Sequence, residues 1–169
     1  EPRTDKTMHV RAFDAVAADD PELRLVLAGD DGWGTAALEQ ALAASPAARS
    51  GRVARLGFVT DAERADLLAG AAVLAYPSVY EGFGLPPLEA MAAGTPVVAT
   101  AAGALPEVLG DAADLVPPGD TDALAGALER VLGDEAPRRD LVERGRRRAQ
   151  AASWPASQAR FAALIHSLG

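Results

Sequence analysis

Two glutamates eight positions apart, Glu81 and Glu89, bracket the stretch EGFGLPPLE. A short uncharged apolar run, Ala71 to Tyr76, precedes them and reads as a buried strand closed by the turn signal Pro77-Ser78. Pro86-Pro87 suits the first turn of a helix, and Gly94 marks its end. Thr95 to Thr100 then reads as a second apolar strand. The order is strand, loop, helix, strand, with one carboxylate on each side of the loop–helix junction. Ligands of open α/β sheets bind outside the carboxyl ends of parallel strands, which is where Glu81 falls. Glu89 is expected in the first helical turn, with its side chain directed into the same crevice. The helix start between them offers unpaired N–H groups and positive partial charge, which suits phosphate. Gly82 and Gly84 let a ligand approach the backbone. Carboxylates accept hydrogen bonds from hydroxyls, so the ligand chemistry that fits is phosphate and sugar together.

Each of these acids has an ordinary explanation when taken alone. A glutamate near a helix start complements the dipole, and a loop glutamate is solvated. Their combination with the glycines and flanking strands selects a ligand site.

EGFGLPPLE, followed by AMAAGTPVVAT and GALPEV, resembles the E-x7-E signature of retaining, nucleotide-sugar-dependent glycosyltransferases of family 4. The resemblance extends through LRLVLAG, RVARLGFV, LVPPGD and the late Ser153-Trp154, nearly the whole chain. It implies the C-terminal, donor-binding half of a two-domain GT-B fold over residues 1–169, with an N-terminal acceptor domain and one leading strand outside this sequence. It also implies transfer of a hexose, mannose or glucose, from a UDP- or GDP-sugar to an acceptor hydroxyl of a glycan or lipid-linked sugar, with retention at the anomeric carbon. Glu81 would hold donor-sugar hydroxyls and stabilise positive charge on the ring; a nucleophilic Glu81, as in retaining hydrolases, is the competing role. Glu89 would hold the ribose. The N–H groups of Gly82, Phe83, Gly84 and Leu85 would take sugar or phosphate oxygens. Phe58 and Val59 match the loop beside the base, Phe58 either touching the base or filling the core. Arg3 matches the family's arginine at the diphosphate. Thr4 stands where the family has a lysine, and Lys6 comes two residues later. No cofactor or metal is implied. A nucleotide-sugar epimerase or phosphorylase would need an acidic pair or a pyridoxal-binding lysine, neither of which is visible; a non-catalytic nucleotide-binding module is the remaining alternative. The expected residues account only for a donor half, so they are expected to lack transferase activity alone.

The chain has 169 residues, enough for one domain and its core. Its formal net charge of −8 argues against nucleic acid as a partner. There is no cysteine, hence no disulfide or thiolate metal site. No apolar run approaches the ~18 residues that suggest a membrane span, and a cytoplasmic location, at the inner face of the membrane in some relatives, is the expectation.

Strands alternating with helical patterns predict an α/β fold with a Rossmann-like parallel sheet flanked by helices. Besides the two strands already named, Leu23 to Ala28, Arg52 to Val59 and Ala113 to Val116 read as strands. Met8, Val10, Phe13, Val16 and Ala17 mark the apolar face of a first helix. Gly29 to Gly34 reads as a loop without a dinucleotide fingerprint, with Trp33 as a packing residue. Ser45 to Gly51 reads as a polar connection. Thr60 is expected to cap a helix to about Ala69, and Asp120 or Thr121 another one bearing Leu124, Leu128, Val131 and Leu132. Glu107 reads as a helix-start residue or a third carboxylate. The six arginines from Arg138 to Arg148 read as a polar helix face, with contact to anionic lipid headgroups as the alternative. Ser153 is expected to cap a final helix striped by Phe161, Leu164, Ile165 and Leu168. His9 and His166 read as ordinary helix residues.

Overall fold

The computed structural model of the chain describes residues 4–29 and 35–167. The loop expected around Trp33, the role of Arg3 and the contribution of Leu168 lie outside the described residues.

Among the described residues five strands alternate with helices, and every strand pair is parallel. The elements that matter here are α1 (Lys6–Val16), β1 (Leu25–Ala28), α2 (Thr35–Ala44), α3 (Pro46–Arg49), β2 (Val53–Gly57), α4 (Asp61–Gly70), β3 (Leu74–Tyr76), α5 (Leu85–Ala93) and β4 (Val97–Thr100). They are followed by α6 (Leu105–Leu109), β5 (Asp114–Val116), α7 (Thr121–Gly133), α8 (Glu135–Ala151) and α9 (Trp154–Ser167). The α/β character and the parallel pairing match the expectation, and all five strands are shorter than their apolar runs suggested.

The strands hydrogen-bond as two ladders, β1–β2 and β3–β4–β5, not as one continuous sheet. At the inner edges of β1 and β3, side chains of α1 take up carbonyl groups: Lys6 Nζ donates to Gly29 at 3.2 Å, and His9 Nε2–H donates to Ala75 at 2.9 Å. Just beyond β3, Thr4 forms an antiparallel bridge with Ser78, and the Asp5 N–H donates to the Pro77 carbonyl at 2.8 Å.

The three-stranded ladder is covered on both faces, as parallel sheets require. All four residues of β4 are buried. Val98 joins Met8, Ala12 and Val16 of α1 and Leu124, Leu128 and Val131 of α7. Val97 and Ala99, on the other side, join Leu88 and Met91 of α5 and Leu105 and Leu109 of α6. α8 closes over α5 at Gly145, where an added Cβ would lie 3.1 Å from Met91 Cγ; this helix pair needs the glycine.

The two-stranded ladder is covered on one face. Val10, Leu27 and Leu38 form one small cluster and Phe13, Ala17 and Ala47 another beneath it. The opposite face, bearing Val26 and Ala28 of β1 and Ala54 and Leu56 of β2, is exposed.

Local signals account for the helix starts. Thr60 and Glu63 form a complete capping box at α4. Asp120 caps α7 through the Ala123 N–H. The connection expected at Ser45 to Gly51 contains instead the short helix α3. Its signal was present in the sequence: Ser45 accepts from the Ala48 N–H as N-cap, and Pro46 follows at the first helical position.

Candidate functional site

The loop between β3 and α5 is anchored from several directions. The Thr100 hydroxyl donates to the Ser78 carbonyl at 2.5 Å, and Ser78 Oγ donates to the Tyr80 carbonyl at 3.1 Å. The Ala104 N–H donates to the Glu81 carbonyl at 2.9 Å. Gly103, at φ +56°, permits this approach: an added Cβ would stand 2.3 Å from the Glu81 carbonyl oxygen and 2.8 Å from its nitrogen. Gly84, at φ +91°, is the N-cap of α5, and a Cβ there would meet Leu105 Cδ2 at 2.5 Å. Both glycines serve backbone shape and close packing.

Glu81 is therefore held from the main chain outward. Its carboxylate accepts from the Tyr76 hydroxyl at 2.8 Å through Oε2 and from the Gly82 N–H at 3.2 Å through Oε1. A tyrosine at a strand end five residues upstream, Tyr76, carries no sequence mark of this role.

Of the four N–H groups expected to face a ligand, that of Gly82 is thus already engaged with Glu81. Those of Phe83, Gly84 and Leu85 have no acceptor among the described residues. Pro86 and Pro87 have no N–H to offer, so the open donors at this helix start come from the residues just before the prolines. Phe83 and Leu85 themselves are exposed, as are Val79 and Tyr80.

Glu89 lies in the second turn of α5, not the first, because the helix begins at Leu85. Its partner comes from α4: Arg64 Nη2 donates to Oε1 at 3.1 Å, and Arg64 Nε stands 2.8 Å from Oε2. Nothing in the sequence marks Arg64 for this role, since nothing local links residues 25 positions apart.

Phe58 follows β2 directly and is 77% exposed; Val59 is half-buried. The exposed alternative for Phe58 is the one adopted, so it does not fill the core. Lys6 is directed to the Gly29 carbonyl at the end of β1. Thr4 is bridged to Ser78, which places it beside the Glu81 loop.

The arginines of α8 differ from a plain polar face. Arg148 Nε donates to the Val108 carbonyl at 2.6 Å and Nη2 to that of Glu107, while Arg144 Nη1 donates to the Asp111 carbonyl. These side chains satisfy carbonyls at and just after the C-terminal end of α6, where helices leave acceptors open. Arg146 packs against Gly94, the C-cap of α5. Three of the six arginines are thus occupied by the fold. Among the described residues no group of three or more acidic or histidine side chains could hold a metal, and no helix is long and apolar enough to cross a membrane.

Comparison with known proteins fits this geometry. The chain is 49% identical over 110 residues to MMP alpha-(1->4)-mannosyltransferase of Mycolicibacterium hassiacum, covering 63% of this chain and 27% of that protein. It is 41% identical over 130 residues to O-antigen chain mannosyltransferase B of Escherichia coli, covering 77% and 34%. The chain therefore spans about a third or less of the length of these relatives. Among solved structures, HepE of Anabaena in complex with UDP and glucose superposes with a TM-score of 0.75 at 26% identity, over 93% of this chain and 44% of that one. The architecture is that of GT-B glycosyltransferases. The family model described as glycosyl transferases group 1 matches residues 4–134, most of the sequence, and the chain belongs to that family.

Proposed function

We propose that the chain is the donor-binding half of a retaining glycosyltransferase that moves a hexose, mannose or glucose, from a nucleotide diphosphate sugar to an acceptor hydroxyl. The observation that carries this reading is the open start of α5: three N–H groups without acceptors, flanked by Glu81 on one side and Glu89 on the other. The named activities of the two mannosyltransferase relatives and the UDP and glucose bound by HepE support it.

In this reading the diphosphate lies at the α5 start, the ribose at Glu89 and the base at Phe58 and Val59. The C1–O bond to phosphate breaks, and its electron pair leaves with the nucleoside diphosphate. The acceptor oxygen bonds to C1, and its proton passes to the departing diphosphate. Negative charge develops where the N–H groups point, and positive charge develops on the ring beside Glu81. Tyr76 and the Gly82 N–H keep the Glu81 carboxylate in one orientation, so little reorganisation is needed during the reaction. Arg3 and Lys6 are the cations proposed for the diphosphate; Lys6 would have to leave the Gly29 carbonyl to reach it. The acceptor, a glycan or lipid-linked sugar, would be presented by an N-terminal domain. The reaction calls for no metal or cofactor in this reading.

Thr4, bridged to Ser78, favours one second reading, a nucleotide-binding module without catalysis. Calorimetric titration with UDP and GDP tests the site and chooses the base. Glu89→Ala in the full-length protein is expected to weaken the preferred nucleotide by about 1–3 kcal/mol, the cost of losing hydrogen bonds to a charged group; unchanged affinity removes the ribose role. Glu81→Gln is expected to lower turnover far more than nucleotide affinity, because its charge acts in the transition state. Equal losses would make Glu81 a binding residue only, and absence of product from the unaltered full-length protein with mannosyl and glucosyl donors would favour the module.

A further inference from the structure

We propose that Arg64 is a positioning residue that orients Glu89 toward a nucleoside ribose and so sets the preference for ribonucleotides over nucleotides lacking the 2′- and 3′-hydroxyls; this rests on the donor-binding reading above. Arg64 is the fourth residue of α4, one turn past the Thr60 cap that ends the Phe58–Val59 loop. It thus links the segment proposed for the base to the helix proposed for the ribose and phosphates.

The contact is a fork. Nη2 donates to Oε1 at 3.1 Å and Nε approaches Oε2 at 2.8 Å, while Nη1 stands 3.3 Å from Asp61 Oδ1. A planar guanidinium that is hydrogen-bonded to one carboxylate oxygen and stands close to the other restricts the plane of the carboxylate as well as its place. A lone glutamate on a helix rotates about three bonds, and such a rotor makes a poor receiver for a ribose hydroxyl. Glu89 Oε2 is enclosed and has no aligned hydrogen bond, whereas the side chain as a whole is 38% exposed. With Oε2 enclosed, Oε1 is the oxygen left to meet a ligand, and the Arg64 contact determines which oxygen is turned inward. A carboxylate oxygen that already accepts one N–H retains a further lone pair for a hydroxyl.

The pair also joins α4 to α5, and a half-exposed ion pair contributes little to stability. A role confined to joining helices would alter folding without altering the choice among ligands. The decisive quantity is the ratio of affinities for a ribonucleotide and its dideoxy counterpart.

The experiment titrates the full-length protein with UDP, GDP and their 2′,3′-dideoxy counterparts. The unaltered protein is expected to prefer the ribonucleotide by about tenfold or more. Arg64→Ala is expected to reduce that preference by about three- to tenfold, chiefly by weakening the ribonucleotide. Arg64→Lys keeps the charge and loses the fork, and is expected between the two; it also serves where the alanine variant fails to fold. In a Glu89→Ala background the Arg64 substitution is expected to leave the ratio unchanged. A ratio in both Arg64 variants equal to that of the unaltered protein overturns the proposal while leaving the donor site intact. Equal binding of ribo- and dideoxynucleotides by the unaltered protein, or binding of neither, overturns the donor reading at Glu89 and this proposal with it.

Discussion

The two ladders of strands are built from similar apolar sequence and end in opposite states. In β3–β4–β5 alternate residues enter two separate cores, and β4 is buried throughout. In β1–β2 the face toward α1, α2 and α3 is packed, while Val26 and Leu56 on the other face are 44% and 47% exposed. Parallel strands are ordinarily covered on both sides. The comparison shows where rigidity resides: the Glu81 loop and α5 rise from the doubly covered ladder, and the Phe58 loop rises from the singly covered one. The sugar and phosphate part of the proposed site is fixed by packing. The base part sits at the end of a thinner layer.

The largest test of this contrast is a matched pair of truncations. Leu105→Ala removes a fully buried side chain from the core beneath the Glu81 loop and is expected to cost about 2–5 kcal/mol. Leu56→Ala is expected to change stability by no more than about 0.5 kcal/mol. Urea denaturation measures both, and comparable losses would show that the exposed face of β1–β2 is covered in solution.

A second pair uses two glycines with nearly the same positive φ. Gly103 and Gly57 have φ of +56° and +63°, but only Gly103 has backbone atoms where a Cβ would go. Gly103→Ala is expected to cost about 3 kcal/mol, from left-handed strain and forced displacement of the Glu81 main chain. Gly57→Ala is expected to cost about 1 kcal/mol, strain alone partly offset by a less flexible unfolded chain. Equal costs would remove the claim that the Glu81 loop is held by close packing against Gly103.

The smallest effect concerns the interval between the ladders, where His9 meets the edge of β3. Burial lowers the pKa of His9, and its hydrogen bond to Ala75 only partly opposes this. The folded state then binds its proton less readily than the unfolded state, so the stability it contributes is full above pH ~6.5 and falls as pH drops below that value. His9→Gln keeps an N–H donor at the corresponding position and does not titrate. The variant is expected to lose less melting temperature than the unaltered protein between pH 7.5 and 5.5; identical losses would show that His9 remains hydrated.

Much of the candidate site was legible because its signals are local. The spacing of Glu81 and Glu89, the prolines and glycines around α5, and the Thr60–Glu63 capping box all act within a few residues of themselves, where backbone geometry alone limits the outcome. The alternation of strand and helix follows from hydrophobic period in the same way. The placement of Glu89 in the second turn was missed because the helix begins at Leu85, before the prolines that mark its start.

Tertiary structure decided what each of these groups touches. The partners of Glu81 and Glu89 are Tyr76 and Arg64, and those of Arg148 are carbonyls about 40 residues away. A side chain's residue type fixes what it can bond, but the choice among many equivalent partners depends on which elements the packing brings within 3 Å. The same holds for the strands: each apolar run specifies that it will be buried, and only the arrangement of helices over the sheet determines that β4 is enclosed on both faces while one face of β1–β2 stays open.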